Sequence, residues 1–357
     1  MSGEFSTDEI KFERRGRAGV VILDRPKALN ALNRAMVRAM KAQLDAWVVD
    51  PNIGQVLLTS TSEKAFCAGG DIRRIHDMGR AGEPDLTGFF FDEYQLDLAI
   101  HRCPKPFVSL IDGICMGGGI GLSMHAPFRV GSEKALFAMP EVTIGFFPDV
   151  GGAHVLAHLP GETGIYLAMT GGRVKCADAA ALGLLTHVVA SAQMGDLAAA
   201  LTTTHDVAAT ITAFTGPIPG ETPIADRRAT IDRLFSGDDA PTILARLDAE
   251  SGPDADWAHA TAAEIRTKSP TSVALALHQV RVARDLDVEA CLVLDGRIVS
   301  HILQGHDFYE GVRSVLVDRD NRPNWQPATF EEIAPGAIEA HLTTIPAGGD
   351  IVFPPSR

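Results

Sequence analysis

Three consecutive glycines, Gly117, Gly118 and Gly119, break this chain between a mostly apolar run at 107–114 and a stretch of small residues that ends at His125. A backbone without side chains at such a junction can turn sharply and leave its first N–H groups bare where a helix begins. The segment reads GICMGGGIGLSMH (113–125), and FAMPEVTIGFFPDVGG (137–152) follows soon after. Pro140, Gly145 and Pro148 keep the second segment from forming one regular helix, so Glu141 and Asp149 sit on an irregular wall and can face one cavity. Backbone donors beside two carboxylates suit chemistry at a carbonyl group. Each feature also has an ordinary reading. The glycines fit a tight turn between closely packed strands, Asp149 fits a helix cap, and Glu141 after a proline fits an exposed turn.

A third element lies upstream, AFCAGGDIRRI (65–75), where small residues and two glycines separate the apolar strand expected at 54–59 from a helix. Taken together, AFCAGGDI, GICMGGGIGLS and MPEVTIGFFPDVGG resemble the crotonase, or enoyl-CoA hydratase/isomerase, superfamily. LDRPKALNALN (23–33) is similar to that family's N-terminal coenzyme A strand and turn, while KSPTS (268–272) and GHDFYEGVRSVLVDRDNRPNW (305–325) resemble the C-terminal helices of its hydrolase group. The stretch from about 201 to 260 matches poorly.

The resemblance implies an α/β fold, a crotonase-like ββα spiral core with a helical C-terminal lobe, although no repeat is visible in the sequence itself. It divides the chain into a core at 1–200 carrying the oxyanion hole and catalytic carboxylates, a variable connection at 201–260, and a helical lobe and tail at 261–357. It also implies that the backbone N–H groups of Gly70 and Gly118 form the oxyanion hole. One departure matters. Where the hydratases of the family place a glutamate just after the glycine triplet, this chain has Gly121, while Glu141 takes the place of their second glutamate and Asp149 adds a carboxylate. The Glu141/Asp149 pair resembles the hydrolase group, in which Glu141 either attacks a thioester as nucleophile or acts as general base on water.

Glu93, in FFDEYQ, matches a substrate-contacting position of that group, though a solvated helix face is the plain alternative. Lys27, Ala28, Leu29, Ala65, Ala68 and Asp71 match the positions that cradle coenzyme A, and Arg25, Arg73, Arg319 and Arg322 are candidate phosphate partners, since the guanidinium fork donates in pairs. The expected activity is hydrolysis of a short hydroxyacyl-CoA thioester. The alternatives are an enoyl-CoA hydratase or isomerase, and a non-catalytic coenzyme A binder or RNA-associated protein. Coenzyme A enters as part of the substrate, and neither a further cofactor nor a metal is expected.

Composition narrows the classes. The 357 residues are 46% apolar, enough for a substantial core, and the net charge of −13 disfavours nucleic acid as a main ligand. No apolar run approaches the roughly 20 residues of a bilayer span, and the start MSGEFSTDEIKFE has no apolar signal core, so no membrane partner is expected. Five cysteines without CxxC spacing point to reduced thiols in a cytoplasm. His154 and His158 share a helix face without a third ligand or an HExxH pattern, GGDIRR lacks the end of a P-loop, and no GxSxG motif is present. A homo-oligomer is implied by the resemblance, subject to the longer C-terminal lobe folding back over its own core.

Periodicity predicts a β-hairpin over 12–17 and 19–24, a helix over 30–49, and strands at 54–59 and 106–111. Further helices are expected at 88–102, 119–125, 151–159, 163–169, 260–284 and 287–304. The region 202–256 reads as a connection with short helices, and the Pro- and Gly-rich tail from 335 onward as partly mobile.

Overall fold

A computed structural model describes residues 7–355. Among the described residues, ten strands form two sheets: β1 (Ile10–Arg15), β2 (Ala18–Leu23), β3 (Gln55–Ser60), β4 (Ala65–Cys67), β5 (Phe107–Ile111), β6 (Ile114–Met116), β7 (Phe128–Gly131), β8 (Leu136–Ala138), β9 (Val174–Lys175) and β10 (His187–Val188). The larger sheet runs β1-β2-β3-β5-β7-β10 and the smaller runs β4-β6-β8-β9. From β3 to β8 the chain sends one strand to the larger sheet, the next to the smaller, and then crosses back through helical structure. This is the ββα spiral, now visible as topology. β1 and β2 pair antiparallel, while β2, β3, β5, β7 and β10 pair in parallel.

Parallel strands covered on both faces should read as unbroken apolar runs rather than alternating ones. AGVVIL in β2 and FVSLI in β5 are buried at every residue. One face of the larger sheet packs against helices Met194–Leu201 and Val207–Phe214 through Val20, Leu57, Val108, Leu197 and Ile211. Its other face meets the main core, which includes Met36, Met40 and Leu44 of helix Arg34–Val49. That helix starts at Arg34 rather than at residue 30, because Leu29 and Asn30 adopt φ of 51° and 57° and Asn33 caps the first turn, accepting the Met36 N–H at 3.0 Å.

The stretch 201–260 holds more structure than its composition suggests. Helices Val207–Phe214, Arg228–Phe235, Ala240–Ala249 and Ala255–Arg266 bury Ile211, Ile231, Leu234, Phe235, Ile243 and Ile265 completely or nearly so. After it, Ser269 caps helix Pro270–Val282, accepting from Ser272 N–H at 3.1 Å with Pro270 in the first turn. Helix Asp307–Val312 then lies against the Glu141–Ile144 turn so closely that the backbone of Asp307 and Phe308 fills the space where Gly145 would carry a side chain.

The tail differs from expectation. Ile351 and Phe353 are buried, Asp350 is gripped by both arms of Arg297 at 2.6 and 2.7 Å, and Arg102 donates to the Pro354 carbonyl. A few apolar anchors and one bidentate ion pair hold a segment that its Pro and Gly content would leave loose. Residues 356 and 357 lie outside the described part of the chain.

Candidate active site

A cavity of about 370 Å³ opens where the two glycine segments meet. Its wall includes Ala68, Gly69, Gly70 and Asp71 after β4, Gly117 and Gly118 after β6, Glu93 from helix Gly88–His101, Glu141 and Asp149, and Val315 and Leu316 from the C-terminal lobe.

The glycines shape this meeting point. Gly117 has φ 49° and ψ −120°, a conformation that disfavours a side chain, and this bend starts helix Gly118–Met124. Gly118 is the first residue of that helix, so its N–H has no carbonyl four residues back to pair with. Across the cavity, Gly70 bridges Leu32 as an isolated parallel pair: Leu32 N–H donates to Gly69 O, and Asp71 N–H donates to Leu32 O, each at 2.8 Å. In that pattern the amide of Gly70 points away from Leu32. Both expected oxyanion-hole residues therefore line one cavity.

Three carboxyl groups converge on the same space. Glu141 is 7% exposed, Asp149 5% and Glu93 2%. Oε1 of Glu141 lies 3.0 Å from where a Gly117 side chain would begin, and the Glu93 carboxyl lies closer still to that point at Gly118, so a methyl group at either glycine would press on a carboxyl of the site. One oxygen of Glu93 and one of Glu141 are buried with no hydrogen-bond partner among the described residues. Buried acceptors left unpaired in a cavity are ready to meet a donor on a ligand. Asp149 accepts a hydrogen bond from the Tyr94 hydroxyl at 2.9 Å.

Burial governs the protonation of this group, and like charges add to it. It pushes Asp149 up to about 7, against the lowering effect of the Tyr94 hydrogen bond. Glu141 is held well above the usual carboxylate range by burial and then by Asp149, and Glu93 by burial, Asp149 and Glu141. Two further acids lie deeper. Asp97, one helical turn beyond Glu93, is fully buried with both oxygens unpaired among the described residues, and Asp295 accepts from Gly151 N–H at 2.8 Å and from Gln279 at 2.7 Å. Burial raises both.

Asp97 accounts for the glycine at position 121. A side chain there would begin 2.7–2.9 Å from the Asp97 carboxyl, so helix Gly118–Met124 could carry one at this position only if Asp97 moved.

The expected coenzyme A positions divide. Ala68 and Asp71 line the cavity, while Lys27, Ala28, Leu29 and Ala65 do not. Lys27 and Ala28 belong to a short turn that is tied to the cavity wall through Asn30, whose amide donates to Ala65 O and Phe66 O at 3.1 and 3.0 Å, and through Ala68 N–H to Leu29 O at 3.0 Å. Asp71 also caps helix Ile72–Arg80 and pairs with Arg25 at 2.9 Å, which commits Arg25 to Asp71 and Glu9. Arg73 is exposed on the cavity wall, whereas Arg319 and Arg322 are exposed outside it. The His154 and His158 rings lie tilted with centroids 4.2 Å apart, and among the described residues no group of three or more His, Cys, Asp or Glu is placed to hold a metal. All five cysteines are unpaired, and no helix is long and apolar enough to cross a membrane among the described residues.

Sequence reasoning missed Tyr94, Asp97, Asp295 and Gln279. The only available signal was the unusual acidity of FFFDEYQLDLAIH for a helix that becomes buried on most faces.

Known proteins resemble this chain in sequence and in fold. The family model described as Enoyl-CoA hydratase/isomerase matches residues 18–342. The chain is 40% identical over 341 residues to the mitochondrial 3-hydroxyisobutyryl-CoA hydrolase of Xenopus laevis, covering 93% of this chain and 88% of that protein. To the Homo sapiens protein of the same name it is 36% identical over 357 residues, covering 98% and 92%. Among solved structures, a carnitinyl-CoA dehydratase from Mycobacterium thermoresistibile superposes with a TM-score of 0.91 at 36% identity, covering 97% of this chain and 99% of that one. An enoyl-CoA hydratase from Rhodobacter sphaeroides 2.4.1 gives 0.87 at 35% identity, covering 97% and 100%.

Proposed function

We propose that this chain, which belongs to the enoyl-CoA hydratase/isomerase family, hydrolyses a short hydroxyacyl-CoA thioester, and that 3-hydroxyisobutyryl-CoA, an intermediate of valine breakdown, is its substrate. The observation that carries the reading is the pairing of Gly121 with Asp97. Position 121 carries no carboxylate and its space is taken by the Asp97 carboxyl, so the acids that face the amides of Gly70 and Gly118 in the cavity are Glu141, Asp149 and Glu93.

The thioester carbonyl oxygen lies between the Gly70 and Gly118 N–H groups, which stabilise the negative charge that develops on it; one such donor is typically worth about 10²–10³ in rate. Ionised Glu141 attacks the carbonyl carbon, the C–S bond breaks, and the coenzyme A thiolate leaves and takes a proton from solvent, which Asp149 returns to solvent after the second step. The resulting mixed anhydride is opened by water, which gives a proton to Asp149 as its oxygen bonds to the acyl carbon, and Glu141 is released as a carboxylate. Glu93 accepts from the substrate hydroxyl. The net change is thioester plus water to acid plus thiol, with no further cofactor. The unpaired cysteines suit a reducing compartment, and the relatives' names place those proteins in mitochondria.

The relatives' names support the hydrolase reading, while the two structural neighbours are titled as a dehydratase and a hydratase. A product assay separates them. Purified protein given 3-hydroxyisobutyryl-CoA or a short enoyl-CoA is followed for free thiol and for double-bond loss in parallel. Thiol release from the hydroxyacyl-CoA, abolished in Glu141→Gln, is expected. Double-bond loss without thiol would overturn the reading.

A further inference from the structure

Helix Gly88–His101 delivers two successive side chains to the site. Glu93 lines the cavity, and Tyr94 passes behind it to reach Asp149. Tyr94 is wholly buried, with its ring 6.3 Å from that of Phe90. Its 2.9 Å hydrogen bond is the one that the Asp149 carboxyl receives from another side chain among the described residues.

The other acids facing Asp149 share its buried cluster, and Asp149 raises each of them, whereas burial is what raises Asp149 itself. Glu93 and, more deeply, Asp97 come from the helix that carries Tyr94, Glu141 from the turn after β8, and Asp295 from helix Val288–Ile302. Arg73 is the one basic residue of the cavity wall, and it is exposed. His125, whose ring bonds the Val150 carbonyl at 2.8 Å, is buried and pushed down to about 4, so it stays neutral. A donor O–H is what this surrounding supplies to an ionised Asp149.

We infer that Tyr94 is a positioning residue of the reaction: its hydroxyl clamps Oδ2 of Asp149, leaving the second oxygen free to take the proton from water and favouring the ionised form. This rests on the role proposed for Asp149 above. Asp149 and Glu141 must both be ionised, so the acid limb of kcat/KM belongs to the pair; a hydrogen bond to the charged form of an acid lowers its pKa, and loss of the phenol from Asp149 moves that limb to higher pH. Below the limb, activity falls about tenfold for each pH unit of displacement, while the plateau changes little.

The test measures kcat/KM against pH for thiol release in wild type, Tyr94→Phe and Asp149→Asn. A second arm exploits the chain's three tyrosines: in a Tyr166→Phe/Tyr309→Phe background, 3-fluorotyrosine is incorporated at Tyr94 alone. This phenol is a stronger donor, and its single fluorine barely disturbs packing. The expected result is an acid limb moved up in Tyr94→Phe and down in the fluorinated protein, with KM for the acyl-CoA unchanged. If Tyr94→Phe does not fold, the fluorinated protein decides. Limbs that superimpose, or a uniform loss at every pH with a raised KM, overturn the inference while Asp149→Asn is inactive. If Asp149→Asn keeps full activity, the role of Asp149 itself falls instead.

Discussion

The carboxylates of the site should weaken the fold that holds them, and Asp149 permits a number. An aspartate with an ordinary value near 3.8 is pushed up to about 7 when this chain folds, burial being the cause. Below about pH 4 the carboxyl is protonated in both folded and unfolded chains and contributes no difference. As pH rises toward 7 the unfolded chain ionises and the folded one resists, so stability falls through this window and the full penalty is present above it. Roughly three pH units at 1.36 kcal/mol each amount to about 4 kcal/mol.

Asp149→Asn removes that penalty, because a neutral amide of the same shape can still accept from Tyr94. For 357 residues, an unfolding entropy near 2.1 cal/mol/K per residue converts about 4 kcal/mol into roughly 5 °C of Tm. The assay is a thermal melt of wild type and Asp149→Asn at pH 5 and pH 8, with thiol release measured on the same samples. The variant should be inactive yet melt higher at pH 8, with most of its advantage gone at pH 5. Glu93 shares the cluster, so the titration belongs to the group and the transition is broad. An advantage equal at both pH values, or a lower Tm at pH 8, would refute the reasoning.

Three further outcomes are expected. Gly118→Ala places a methyl group on the Glu93 carboxyl and 3.2 Å from Leu32, displacing an oxyanion donor; kcat should fall about 10²–10³-fold with far less effect on coenzyme A binding by calorimetry. Gly121→Glu drives a side chain into Asp97, which stands 2.7 Å from its first carbon; the variant should lose about 1–3 kcal/mol of stability and gain no double-bond chemistry in the hydration assay. Arg297→Gln breaks the bidentate pair with Asp350, so limited proteolysis should clip the tail near Ile351 sooner than in wild type, with thiol release unchanged.

Much of the site was legible in the chain because it depends on local constraints. Gly117 bends a strand into a helix, and Pro140 and Pro148 bar regular structure around Glu141 and Asp149. Such features act within a few residues of themselves, so spacing along the chain suffices to read them. The strands of β2 and β5 were legible for a similar reason, since double-sided burial leaves an unbroken apolar run.

Tertiary structure decided the rest. The alternation of strands between two sheets leaves no repeat in the sequence, because each strand need only be apolar and short, and partner choice is set by how the crossovers pack. That Asp97 fills the space beside Gly121, or that the Tyr94 hydroxyl reaches Asp149, depends on contacts between distant segments. Acidic residues on a helix look solvated until another helix covers them, and the helix Val288–Ile302 that supplies Asp295 comes from the far end of the chain. Motifs alone therefore identified the groups that can act on a thioester. Their ionisation depends on burial, and burial exists only once the C-terminal lobe has closed over the core.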